Sequence, residues 1–218
     1  MKEKHWSKTE LLHLSVTNPN IIVKGTHSYY SDYWDDGFER SVVRYLHGDA
    51  VSQNWEPLGY IDKLLIGDYV CIAAECVILM GGNHNHRTDF INRYPFMETI
   101  YDTYQHKGDT VLGDACWLGM RSMLMPGITV GEGAIIAAGS VVTKDVPPYA
   151  IVGGNPAKLI RYRFSEADIG RILALNIYSR PEAEIENISY CLAQTISTHW
   201  NAYWFSYLAC RNSFVKTR

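Results

Sequence analysis

From Leu112 to Val146 the chain reads LGDACW LGMRSM LMPGIT VGEGAI IAAGSV VTKDV, with an aliphatic residue opening every hexad: Leu112, Leu118, Leu124, Val130, Ile136 and Val142. Four places after each stands a second column of mostly small residues, Cys116, Ser122, Ile128, Ala134, Ser140 and Val146, as expected where a chain turns a corner and space is tight. An amphipathic helix repeats every 3.6 residues and a half-buried strand every 2, so neither explains this spacing. Hexads fit an all-β solenoid, a parallel β-helix in which each repeat makes one face of a triangular coil and the aliphatic column stacks into a continuous core. The glycines at 113, 119, 127, 131, 133 and 139 would supply unusual backbone conformations or allow close approach.

The same pattern occurs earlier, in IGDYVC IAAECV ILMGGN, opened by Ile66, Ile72 and Ile78. The two registers disagree, because Ile66 and Leu112 are not separated by a whole number of hexads. Something between them must leave the coil and return, and the aperiodic, aromatic-rich stretch over about 83–109 is that excursion. A loop of this length in a compact domain signals function. After the repeats, VPPYAIVGGNPAKLIRYRF ends the coil. Ser165 is then an N-cap, with Asp168 three residues on and Ile169, Ile172 and Leu173 at helical spacing. We expect helix from Ser165 to about Leu175 and again between roughly Glu182 and Tyr207. The predicted organisation is a β-helix domain over 1–163 and a C-terminal α-helical segment over 164–218, which would cover a solenoid end or pack on a neighbouring subunit.

Of the 218 residues, 47% are hydrophobic and 20% charged, enough for a sizeable core. The net charge of −3, with no Lys/Arg-rich run, argues against a nucleic-acid or anionic-membrane partner. Five scattered cysteines without C-x-x-C spacing suggest neither a disulfide framework nor a zinc site. The N-terminal MKEKHWSKTELLHLSV has no long apolar run, so a cytoplasmic location is expected.

Candidate chemistry centres on MGGNHNHRTDF, where His84 and His86 stand where the chain leaves the coil. Three readings are open. On an extended segment the two rings of an H-x-H pair point the same way and could share a zinc, but no third ligand is tied to them in sequence; His27 and His106 are the candidates. Both could be ordinary loop residues. Or one neutral imidazole accepts a hydroxyl proton as that oxygen attacks an acyl group, a role suited to a group titrating near neutral pH. The position at the root of a large loop favours the third, and without a nearby serine or cysteine nucleophile motif the transfer would be direct.

The stretches NPNIIV, SYYSDY, IDKLLIGDYVCIAA, HRTDF with YPF, TVLGDACWLG, MPGITVGEGAIIAAGSVVTKDV and PYAIVGGNPAKLIRYRFSEADI together resemble the hexapeptide-repeat xenobiotic acyltransferases. The likeness is to the type B chloramphenicol acetyltransferases, with the streptogramin A acetyltransferases as relatives, and covers roughly Val16 to Leu175. It implies a left-handed parallel β-helix, an exception to right-handed crossovers, and a homotrimer with active sites between subunits. It also implies O-acetylation of a small xenobiotic such as chloramphenicol, with acetyl-coenzyme A as cosubstrate and no metal. The family histidine precedes Arg, a variable residue, Asp, an aromatic and a Phe/Tyr-Pro-Phe. That pattern falls on His86, with His84 as the alternative register.

By the same resemblance Trp117, Gly119, Lys144, Asn155, Lys158 and Arg161 face coenzyme A, although Trp117 could equally pack on a neighbouring coil and the lysines be plainly solvated. Tyr29, Tyr30, Tyr33, Phe90 and Phe96 would line the acceptor pocket, or simply pack beneath the loop. Two departures bear on the acceptor: NIYSRPEAEI replaces a tryptophan-rich run after the first C-terminal helix, and RYLHGDAVSQNWEPLGYID before Ile66 is longer than the family leads one to expect. Sugar O- or N-acetylation remains an alternative within the fold; a metal-dependent hydratase of the γ-carbonic-anhydrase kind and a non-catalytic hexapeptide binding protein are alternatives outside acyl transfer.

Overall fold

The computed structural model describes residues 8–57, 59–81, 86–94 and 96–192, with the side chains of Tyr190 and Cys191 excepted. His84 therefore lies outside the described residues. The chain divides into two compact units, Met1–Tyr162 and Arg163–Arg218.

The first unit is built from short strands: β1 (Glu10–Leu11), β2 (Ile21–Val23), β3 (Tyr29–Tyr30), β4 (Val43–Arg44), β5 (Leu64–Ile66), β6 (Cys71–Ile72), β7 (Val77–Leu79), β8 (Thr110–Leu112), β9 (Trp117–Leu118), β10 (Met123–Leu124), β11 (Thr129–Val130), β12 (Ile135–Ile136), β13 (Val141–Val142), β14 (Ala150–Gly154) and β15 (Ala157–Tyr162). They form three sheets. The first orders β2-β5-β8-β11, the second β1-β3-β6-β9-β12-β14-β15 and the third β4-β7-β10-β13. Successive strands from β2 to β13 visit the first, second and third sheets in fixed rotation, each pairing in parallel with the strand one coil away. The edges break the rule, where β1 and the β14–β15 hairpin pair antiparallel.

The hexads account for this arrangement. Leu112 lies opposite Val130, the opener three hexads further on, so three hexads make one coil. The openers Leu112, Leu118, Leu124, Val130, Ile136 and Val142 end their strands pointing inward and are buried. Burying such a side chain contributes about 1.5–3 kcal/mol. The second column, from Cys116 to Val146, is buried as well, because the position just before each strand also turns inward at the corner. Where two inward positions share a corner, space is tight and the second is mostly small, with Ile128 and Val146 the larger members. The corners also need left-handed backbone, taken not only by glycine but by Tyr69, Ala115 and Tyr149 between the first and second sheets and by Glu75 and Arg121 between the second and third.

The mismatched registers are reconciled by direct pairing. Ile66 stands opposite Leu112, and the sequence between them is one coil plus the excursion that leaves after β7 and returns at β8. That excursion carries the short helix α3 (Ile100–Thr103). A further coil precedes the one that opens at Ile66, and the sequence periodicity misses it. Its residues Val23, Tyr30 and Val43 pair with Ile66, Ile72 and Ile78. The latter three are each a hexad apart, whereas Val23 to Tyr30 is a hexad plus one and Tyr30 to Val43 is two hexads plus one. The longer step holds helix α2 (Phe38–Ser41), whose buried Phe38 meets the Tyr30 ring at 6.0 Å between centroids. Helix α1 (Leu12–Ser15) adds Leu12 to the same core.

The excursion between β4 and β5 leaves the same corner as the large one, one coil earlier. Val43 lies opposite Ile78, although nearly two coils' worth of sequence separates them where one would suffice.

In the second unit, helix α4 (Glu166–Ala174) starts at Ser165, whose hydroxyl accepts the Asp168 N–H at 3.2 Å and donates to the Asp168 carboxylate at 2.6 Å. Helix α5 (Glu182–Leu192) buries Ile185 and Ile188. The remainder of the second predicted helix, and the tail, lie outside the described residues. Among the described residues no helix is long and apolar enough to cross a membrane.

Candidate active site

Two excursions from one corner on adjacent coils are bound to meet, and they brace each other. The Tyr104 hydroxyl donates to the Tyr60 carbonyl at 2.9 Å. The Asp62 carboxylate accepts the Lys107 N–H at 2.8 Å, and Asp109 accepts that of Lys63 at 2.7 Å. Gly59 leaves room for the Tyr104 ring, since a Cβ there would sit 2.8 Å from it. The smaller loop thus holds the returning limb of the larger one.

His86 is exposed on the outgoing limb, with Nδ1 3.4 Å from the Arg93 carbonyl oxygen. A carbonyl can only accept, so in a neutral ring this contact calls for the Nδ1–H tautomer and leaves the Nε2 lone pair available. Beside it Arg87 and Asp89 form an ion pair, which holds the guanidinium above its usual pKa and the carboxyl below. The Arg87 guanidinium also lies 4.8 Å from the centre of the Phe90 ring. Phe96 packs edge-on to Tyr94 at 4.9 Å. Phe90 and Phe96 are both partly exposed.

His27 and His106, the further histidines a shared metal would need, each sit beside a carboxylate: His27 Nδ1 lies 3.2 Å from Asp68, and His106 Nδ1 3.4 Å from Asp62. Among the described residues no three His, Cys, Asp or Glu side chains form a metal-sized group.

The second sheet gathers several of the other candidates. Tyr29, Cys71, Trp117, Ile135, Ile151 and Arg161 lie opposite one another in successive strands. Tyr29 and Trp117 are two strands apart, about 10 Å. Trp117 is 49% exposed on this row. Hydrogen bonding to Cys71, followed by burial, pushes the Tyr29 phenol up to about 12. Tyr30, the next residue, points the other way and is fully buried. Its hydroxyl donates to Asp35 and accepts the Glu75 N–H, and burial followed by the Asp35 bond raises its pKa. Tyr30 therefore serves the core in this structure, as strand alternation dictates, rather than the wall of a pocket. Tyr33 stacks edge-on with the exposed Trp34 at 4.6 Å.

Gly119 has a packing reason of its own: a Cβ there would lie 2.6 Å from the Ala138 nitrogen on the next coil. Lys144 and Lys158, well apart in sequence, line one cavity of about 350 Å³ with Thr143, Pro147, Pro156 and Leu159. Asn155 and Arg161 belong to the adjoining hairpin and not to that lining; the Arg161 guanidinium donates to the Tyr162 carbonyl at 3.1 Å.

A larger cavity of about 480 Å³ opens between the two excursions, where Tyr45, Trp55, Ile61 and Tyr104 contribute apolar wall and Gly81 marks the root of the large loop. Sequence reasoning missed these lining residues. The only signal was the unexpected length of the segment before Ile66, because an aperiodic loop does not announce which side chains it turns inward.

Residues 109–144 match the bacterial transferase hexapeptide family (six repeats). A chloramphenicol acetyltransferase of Morganella morganii is 38% identical over 90% of this chain and 93% of its own length. A virginiamycin A acetyltransferase of Staphylococcus aureus is 42% identical over 74% of this chain and 71% of its own. A probable macrolide acetyltransferase of Lysinibacillus sphaericus is 42% identical over 63% and 79% respectively. Solenoid and repeats thus define a hexapeptide-repeat transferase, and the chain belongs to the chloramphenicol acetyltransferase family within that class. It is an enzyme, an acyltransferase.

Proposed function

We propose that the protein transfers the acetyl group of acetyl-coenzyme A directly to a hydroxyl of a small xenobiotic, with chloramphenicol as the first acceptor, and that His86 is the general base. The observation that carries this reading is the kinship just described, with 38% identity to a chloramphenicol acetyltransferase over 90% of the chain. The geometry at His86 agrees with it. With Nδ1–H held toward the Arg93 carbonyl, Nε2 takes the acceptor's proton as the hydroxyl oxygen adds to the thioester carbon. The tetrahedral intermediate then collapses with loss of the C–S bond, and the imidazolium returns its proton to the departing thiolate.

Lys144 and Lys158 suit the phosphate end of coenzyme A, since their shared cavity offers two cations to an anionic group. Asn155 and Arg161 on the neighbouring hairpin complete that end. Trp117 contacts the pantetheine arm, and the row from Tyr29 to Arg161 brings the acceptor and donor sides onto one sheet face. The coil winds left-handed and three chains assemble with sites between them; light scattering behind size exclusion should give a trimer, and a monomer at micromolar concentration would count against the shared site.

Thiol release from acetyl-coenzyme A against a panel of antibiotics and sugars tests reaction class and acceptor together. His86→Ala should lower kcat about 10²- to 10⁴-fold, with coenzyme A affinity little changed. His84→Ala should cost much less. A crippled His84→Ala beside an active His86→Ala would transfer the role to His84, and equal losses would point to a metal or a collapsed loop.

A further inference from the structure

The stretch from His86 to Tyr94 is tied together by its own side chains. Its first half is held by Arg87, whose guanidinium pairs with Asp89 and lies 4.8 Å from the centre of the Phe90 ring. The second half has a different tie. Asn92 Oδ1 accepts the Tyr94 N–H at 3.0 Å, and because a backbone N–H can only donate, the amide oxygen and not its nitrogen must face it. This is the local turn that asparagine makes with the backbone two residues on.

That N–H belongs to the same peptide group as the carbonyl that faces the histidine. The Arg93 C=O and the Tyr94 N–H are two ends of one planar unit, and in a trans peptide they point to opposite sides. Holding the N–H on Asn92 therefore also holds the carbonyl, whose oxygen lies 3.4 Å from His86 Nδ1. Released from Asn92, the plane can turn about the axis joining its two Cα atoms and carry the carbonyl away from the ring. Residues 91–94 are exposed, so burial does little to hold the plane in place of that bond. Side-chain oxygen, peptide and imidazole thus stand in series, the arrangement in which a base is oriented by a further group, here with a peptide as intermediary.

We propose that Asn92 positions His86: its side-chain oxygen holds the Arg93–Tyr94 peptide so that the Arg93 carbonyl keeps the ring in the Nδ1–H tautomer and leaves Nε2 as the basic nitrogen. The catalytic consequence rests on the reading of His86 as general base given above; the tautomer is a property of the resting protein and is measured without turnover.

Asn92→Ala removes the tie from an exposed side chain, and circular dichroism melts of the full-length variant should match those of the wild type. Ring-carbon NMR of isotope-labelled histidine reads the tautomer at a pH where the ring is neutral, with the His86 signals assigned by their absence from His86→Ala. The wild type should show the Nδ1–H form. Asn92→Ala should lose that preference, because the hydrogen bond made at one ring nitrogen sets which of the two carries the proton. It should also lower kcat about three- to tenfold, the worth of one neutral hydrogen bond, with the KM for acceptor and for acetyl-coenzyme A near the wild-type values. Asn92→Asp keeps an acceptor oxygen at the same reach and should restore the tautomer and most of kcat.

An unchanged tautomer in Asn92→Ala would overturn the proposal, as would a loss confined to KM or one that Asn92→Asp does not recover. His86→Ala separates the two possible failures. If it is crippled while Asn92→Ala matches the wild type in tautomer and kcat, this inference alone falls. If His86→Ala keeps the wild-type kcat, the general-base reading falls instead, and a tautomer still lost in Asn92→Ala shows that Asn92 orients the ring all the same.

Discussion

Gly119→Ala separates two reasons for a glycine in the middle of the coil. The new Cβ would lie 2.6 Å from the Ala138 nitrogen, 2.7 Å from the Ile136 carbonyl oxygen and 3.0 Å from the Ala137 carbonyl carbon, all of them backbone. No side chain can swing away, so relief requires the two coils to part locally by roughly 0.8 Å to regain ordinary van der Waals contact. The same interface carries the hydrogen bond from Gly119 N–H to the Ile136 carbonyl at 2.8 Å. Losing or stretching that bond costs about 1 kcal/mol, and overpacking a rigid interior adds about 1–3 kcal/mol. We expect a total near 2–4 kcal/mol, a fall in Tm of about 5–15 °C for a chain of this size.

Gly139 provides the internal control. Its φ is +69°, and nothing lies within 4 Å of a Cβ built there, so Gly139→Ala should cost only the left-handed penalty, about 1–2 kcal/mol. Thermal melts of the two variants, with the KM for acetyl-coenzyme A of each, form the assay. Gly119→Ala should be the less stable of the two and should leave that KM near the wild-type value where the protein is folded. A stable Gly119→Ala protein with a KM raised tenfold would refute the coil-packing explanation and assign the glycine to the cofactor.

Lys144→Ala and Lys158→Ala should each raise the KM for acetyl-coenzyme A about three- to tenfold, with kcat nearly unchanged and less effect on a donor lacking the nucleotide; equal losses with a truncated pantetheine donor would place the donor's phosphates elsewhere. The Glu132 carboxyl is raised above its ordinary value, first by burial, while the Tyr149 hydroxyl donates to it at 2.7 Å and opposes the shift. Because the folded state holds this proton more tightly than the unfolded one, its contribution to stability is present at low pH and is lost as pH rises from the ordinary glutamate range through the raised value. Urea titrations across that interval should show Glu132→Gln with a flatter pH dependence than the wild type, and a steeper one would contradict the shift.

The hexads alone determined the three-faced coil, its inward columns and the presence of a long excursion, because a solenoid repeats one local rule and each coil needs only its neighbours. The N-cap of α4 was equally legible, since Ser165 and Asp168 satisfy each other within one turn. Tertiary structure decided the rest. The first coil is invisible as a repeat because both of its corners are stretched beyond a hexad, and only pairing with Ile66, Ile72 and Ile78 reveals it. Tyr29 and Tyr30 look alike in sequence, yet strand alternation puts one on the outer row with Trp117 and the other in the core. Lys144 and Lys158 acquire a common cavity only when the β14–β15 hairpin folds back on the segment that follows β13. The two excursions are separate loops in the sequence, and they meet because coil stacking superposes their roots. Their cavity follows from contacts between residues far apart in the chain, such as Tyr60 with Tyr104, which no local pattern encodes.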